Sequence, residues 1–97
     1  MGNEFNFWDL WGVSEVEIKK TDGETYRGRV ICVDEGLEEY GDDGIIVTIE
    51  NSDGIRGHTA KYIENITIYK DGHPAYKIIK EKGKWQKMTI MQQYAES

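Results

Sequence analysis

The sequence predicts a mainly β protein. Residues 16–69 read as a small, five-stranded, strongly bent antiparallel barrel. A short helix at 5–12 precedes it and a basic extension at 70–97 follows, all within one domain of 97 residues. Three observations carry this expectation. Eleven glycines against one proline are the balance of a chain with many tight turns. Short alternating or β-branched runs recur between those turns. Gly28 lies inside the longest run, where it would weaken a flat strand but permits the sharp bend a small barrel needs.

Each element has its own signal. Residues 5–12 read as one short helix with Asn6 as N-cap, Asp9 completing a capping box, Phe5 and Leu10 as a hydrophobic staple, and Gly12 as the stop. So short a helix must dock, and Phe7, Leu10 and Trp11 form the expected face. That cluster reads as a lid over a small core, with a stacking surface for bases as the functional alternative. Val16 to Lys20 alternates apolar and polar, the pattern of a half-buried strand. Thr21 to Glu24 is a turn around Gly23, and Thr25 to Asp34 is a long strand. Ile45 to Glu50 is β-branched and reads as a strand buried on both faces. Asn51 to Gly54 is a hairpin turn, followed by a strand from Ile55 to Thr59 and a 3₁₀ turn near Lys61 and Tyr62. Asn65 to Tyr69 is the fifth strand, with Ile66 and Ile68 on one face. Beyond Asp71-Gly72-His73-Pro74, residues 75–81 and 85–91 flank Lys82-Gly83-Lys84 as an extra β-hairpin. A helix over 75–82 also fits the period of Tyr76, Ile79 and Lys80.

Composition narrows the functional classes. Cys32 is the only cysteine, so neither an intrachain disulfide nor a cysteine-based zinc site is available. Inside a strand it reads as a buried small hydrophobe. No run is long and apolar enough to span a membrane, and none reads as a signal peptide, which points to a reducing cytoplasm. The net charge of −6 is uneven: residues 1–69 carry −9 and residues 70–97 carry +3, so a polyanion should prefer the C-terminal segment. Asp34, Glu35, Glu38, Glu39, Asp42 and Asp43 place six carboxylates in ten residues with no base among them, the composition of a solvated loop. The ligand spacing of an EF-hand calcium loop is missing from it. No metal or other cofactor is expected.

Two runs belong together. Gly28 precedes Asp34 by six positions, with Val30 and Val33 at apolar places between them. Farther on stands Arg56-Gly57-His58-Thr59-Ala60-Lys61-Tyr62-Ile63. In this order, after a short helix, they resemble the two motifs of the bacterial Sm-like (LSm) small β-barrel family, over about residues 6–69. The resemblance implies an Sm-like, SH3-like barrel, assembly into rings by strand pairing between neighbours, and RNA as ligand. Asp34, Arg56 and Gly57 carry over as site residues, with His58 beside Arg56 in a pore and Tyr62 behind them. The chain departs from the family where it matters for RNA. The family's base-binding asparagine falls on Glu38, in a loop that is strongly acidic.

Function is therefore expected to be non-enzymatic. One reading is a protein-interaction or assembly module whose acidic loop (Glu35, Glu38, Glu39, Asp42, Asp43) meets a basic protein partner and steers its approach. The other is an RNA-binding ring using Arg56-Gly57, with Lys70 to Lys87, Tyr76 and Trp85 adding phosphate contacts and stacking. A homo-oligomer is compatible with both, and a membrane partner with neither. An enzyme is disfavoured because His58 and His73 have no nucleophile at motif spacing.

Overall fold

The computed structural model describes residues 3–36, 41 and 43–90. Every regular element apart from short 3₁₀ turns is a strand. The strands are β1 (Asn3–Glu4), β2 (Val16–Lys20), β3 (Thr25–Glu35), β4 (Ile45–Asn51), β5 (Gly54–Thr59), β6 (Ile63–Lys70), β7 (His73–Glu81) and β8 (Lys84–Thr89). They form one antiparallel sheet in the order β1-β8-β7-β6-β2-β3-β4-β5.

The eleven-residue β3 belongs to two parts of this sheet. Its first half pairs with β2, ending at Gly28 opposite Val16; its second half pairs with β4, starting at Arg29 opposite Glu50. The register slips between Val30 and Cys32, a bulge that turns the strand. At the switch β4 comes very close. A Cβ on Gly28 would lie 2.5 Å from the Glu50 carbonyl oxygen, so no other residue fits without displacing backbone. Val30 is tied from outside the sheet too: its N–H donates to the Val13 carbonyl and its own carbonyl accepts from Gly12. The glycine read from sequence as the bend sits where β3 changes partner, two residues before the bulge.

The bent β3 folds the sheet over its own inner face. Val16, Ile18, Val30, Val33, Val47 and Ile49 meet there with Ile66 and Ile78, all essentially inaccessible to water. The five strands β2–β6 lie consecutively, but they do not close into a barrel. Closure would require β5 to pair with β6, and both edges of β6 are occupied, one by β2 and one by β7. The C-terminal segment is thus an integral part of the sheet. Its two turns, Asp71-Gly72 and Lys82-Gly83, hold positive φ at both central residues, as two-residue hairpin loops require. That turn chemistry decides for hairpin over the helix alternative at 75–82. The hairpin's far end, residue 91, lies outside the described residues.

Several sequence expectations need correction. Residues 5–12 form no α-helix, only a 3₁₀ turn at Phe7–Leu10; Asn6 caps it as expected, its side chain accepting from Trp8 N at 2.9 Å. Four residues close too few hydrogen bonds to sustain α geometry. Phe7 and Leu10 dock, Phe7 edge-on to Phe5 and Trp85, while Trp11 stays 54% exposed and stacks on Trp8. Strand β4 alternates, Ile45, Val47 and Ile49 inward and Ile46 and Thr48 half-buried, because only one face of its sheet is covered. Cys32 is half-buried on that outer face and donates to Asp34 Oδ2 at 3.2 Å.

Replacing Gly28 by alanine should lower stability by about 2 kcal/mol, since the Glu50 backbone must retreat to admit the methyl group. In a domain of this size that is a fall of roughly 10 °C in Tm. A calorimetric melt of Gly28→Ala matching the parent would show that the two strands approach less closely than described.

Candidate functional site

Residue alternation decides which side chains can meet. Directly opposite residues in an antiparallel pair share a face. Arg56 stands opposite Ile49 and His58 opposite Val47, so both project to the inner side of the sheet. Gly57 stands opposite Thr48, and Asp34 opposite Ile46, which puts them on the outer side. Asp34 and Arg56, the two principal residues implied by the family resemblance, therefore lie on opposite faces and build no common site within one chain. Their motif spacing could not reveal this, because face depends on pairing register. Arg56-Gly57 also lies within strand β5 and not at a turn.

The other expected residues scatter as well. Tyr62 sits on the 3₁₀ turn Ala60–Tyr62, 53% exposed, with the Lys61 ammonium 5.7 Å from its ring centre. Asp43 is held by Lys80 of β7 through contacts of 2.7 and 2.9 Å. One carboxylate of the acidic loop read as a docking surface is thus neutralised from within. Glu35 is exposed at the end of β3; Glu38, Glu39 and Asp42 lie outside the described residues. Trp85 is buried at 3% exposure and offers no stacking surface.

One polar constellation does form, and it centres on His58. This side chain is 1% exposed, against the inner face where Tyr26 of β3 and Lys20 of β2 reach across to β5. Its ring lies 4.7 Å from the Tyr26 ring, and the Arg56 guanidinium sits 5.0 Å from the centre of that same Tyr26 ring. Lys20 Nζ lies 3.2 Å from His58 Nδ1. An ammonium group has hydrogens to donate and no lone pair to accept with, so Nδ1 must be the bare nitrogen and the ring proton resides on Nε2. The Nε2–H is buried and has no partner among the described residues. Tyr26 donates its own hydroxyl to Glu24, and that carboxylate pushes the phenol above its ordinary range. Burial, then Lys20 and Arg56, push His58 down from 6.5 to about 4.

A small pocket of about 90 Å³ opens at this constellation, bounded by Tyr26, Ile49, Arg56, His58 and the Asn51–Ile55 turn. Sequence reasoning named Arg56 and His58 but missed Lys20 and Tyr26. The alternation of Ile18 with Lys20 and of Tyr26 with Gly28 was the available signal for their inward direction. On the outer face, Asp34 holds the Cys32 thiol above its ordinary range, which favours the unreactive protonated form. Among the described residues no three His, Cys, Asp or Glu side chains gather as metal ligands, and no helix is long and apolar enough to cross a membrane. Compared with known proteins, the chain matches no family model, no curated protein and no solved structure.

His58 gives a pH dependence with a definite sign. Its native pKa of about 4 lies below the ordinary 6.5, so between those values the unfolded chain binds the extra proton and stability falls as pH falls. The full loss from this group is roughly 3 kcal/mol, complete below about pH 4 and absent above about pH 6.5. Ring NMR should find His58 still neutral well below pH 6.5, down to about pH 4. A His58 midpoint near 6.5 would contradict the burial described.

Proposed function

We propose that this chain is a non-enzymatic, Sm-like binding module built on an open sheet, working as a protein-interaction or assembly unit. The observation that carries the reading is the free edge of β5. This six-residue strand pairs with β4 on one side, and nothing among the described residues pairs with the other. Unpaired N–H and C=O groups in a row are a template for a further strand. Ile55 adds an exposed apolar side chain there, at 63%.

The occupant we assign is β5 of a second copy. A head-to-tail ring needs two long free edges, whereas the opposite edge of this sheet is the two-residue β1. The ring implied by the family resemblance is therefore replaced by an isologous pair, in which the same edge serves both copies. Light scattering coupled to gel filtration should give a mass twice that of the chain. Ile55→Lys, a charged side chain of the kind that blunts natural edges, should return a monomer that keeps the parent's strand content by circular dichroism. A parent protein that stays monomeric at high concentration would rule out the pairing.

A second reading, RNA binding, draws on a different place. Lys70 and Lys87 bring their ammonium groups to 5.8 and 4.2 Å from the Tyr76 ring centre, beside a cleft of about 460 Å³. Asp9 and Asp71 line the same cleft and offset the charge. Two such lysines give a shallow, salt-sensitive affinity that fades by about 0.15–0.2 M salt. In a filter-binding salt series with U-rich RNA, Lys70→Gln with Lys87→Gln should abolish what binding exists, and Arg56→Ala should leave it unchanged. Tight, salt-resistant binding lost on Arg56→Ala would favour the RNA reading over the assembly reading.

A further inference from the structure

Register and alternation gather a second set of side chains on the inner face, away from β5. Tyr76 stands opposite Ile68 and Lys87 opposite Ile78, so all four share that face. Ile68, Tyr76 and Lys87 form one wall of the cleft of about 460 Å³. Phe5, Asp9 and Val13 of the N-terminal segment form the other. The apolar part of the lining is continuous with the core: Phe5 and Ile68 belong to it, and Val13 and Tyr76 pack against it. The charged part is balanced but unpaired. Lys70 and Lys87 hold their ammonium groups 5.8 and 4.2 Å from the Tyr76 ring centre. Among the described residues neither reaches a carboxylate at ion-pair distance, and Asp9 and Asp71 reach no cation.

We propose that this cleft binds a small zwitterion with an apolar body, the chemistry of a free apolar amino acid. The ligand carboxylate accepts from Lys87 and Lys70, its ammonium donates to Asp9 on the facing wall, and its side chain lies against Phe5, Val13 and Ile68. Charge decides for a zwitterion. A simple anion would meet Asp9 and Asp71, and a simple cation would meet Lys70 and Lys87, so each is opposed in the same cleft that suits a molecule carrying both signs. The anion end is prepared in advance, because the Tyr76 ring already holds both ammonium groups beside it. Size agrees: about 460 Å³ is the liquid share of roughly 15 water molecules, room for one ligand of about a dozen non-hydrogen atoms. The site goes beyond the assembly reading. No residue of β5 lines it, so it holds whether or not two copies pair at that edge.

The probe is L-phenylalanine, titrated into the ¹⁵N-labelled full chain near neutral pH at ~0.15 M salt and followed by amide NMR. The amides of Val13, Ile68, Tyr76 and Lys87 should shift saturably while those of β5 stay in place. Two analogues divide the ligand: 3-phenylpropionate lacks the ammonium and phenethylamine lacks the carboxylate. Each should bind ~10-fold more weakly or worse, the equivalent of one charge-assisted hydrogen bond. Lys87→Gln and Asp9→Asn should each weaken L-phenylalanine by a similar factor. Asp9→Asn should also bind 3-phenylpropionate at least as well as the parent does, a gain that a merely disturbed fold would not produce. U-rich RNA should not displace L-phenylalanine at this salt. No saturable shift, equal binding of either analogue, loss of 3-phenylpropionate binding in Asp9→Asn, or displacement by the RNA would each overturn the assignment.

Discussion

The close approach of the Glu50 carbonyl to the Cα of Gly28 is the constraint on which the rest of the molecule depends. It lets one strand give its first half to β2 and its second half to β4, so a single sheet can cover its own inner face. With that fold-over, Ile18 and Val47 meet in one core although they lie in strands that never pair. The same bend brings Tyr26 and Lys20 across to β5 and thereby creates the His58 constellation. The polar site is a by-product of how the apolar core closes. The Lys20–His58 contact ties β2 to β5, two strands that share no backbone pairing.

What the sequence disclosed and what it withheld follow a physical division. Local chemistry was legible. Gly28, the Asn6 cap, the Asp71-Gly72 and Lys82-Gly83 turns and the alternation in β2 each announce themselves within a few residues, because turn and cap geometry is decided by neighbours. Long-range register was not. Whether Asp34 and Arg56 share a face depends on how β3, β4 and β5 slide against one another, and a bulge at Val30–Cys32 resets the count. The availability of the β6 edge likewise depends on where residues 73–81 go, which no motif within 16–69 records. Trp11 was misplaced for a related reason: on an α-helix it would share the face of Phe7, whereas a 3₁₀ turn ending at Leu10 releases it.

Charge partition in the sequence suggested an acidic body and a separate basic arm. The fold joins them. Lys80 reaches Asp43, and Lys70 and Lys87 lie over Tyr76 within the sheet's own surface. The basic residues of the hairpin are therefore held in place, and part of their field is spent on the chain's own carboxylates. This weakens the electrostatic case for RNA at the hairpin and for a basic partner at the acidic segment alike. It leaves the edge of β5, where backbone groups and not side-chain charge set the interaction, as the element least compensated from within.

The pairing of β1 with β8 brings Asn3 against Lys87, while Phe5 N donates to the Trp85 carbonyl at 3.0 Å. Nearly the whole chain must be in place before these contacts can form, whereas the β6–β7–β8 meander closes through two-residue loops and needs almost no search. Loop-closure entropy therefore sets an order of events, with the meander early and the N-terminal strap late. Once formed, the strap locks Phe5 and Phe7 onto Trp85, so the last segment to arrive is also the latch on the core. Its release would let water reach the interior, and slow proton exchange at Trp85 Nε1 would be the gauge of how firmly it is shut.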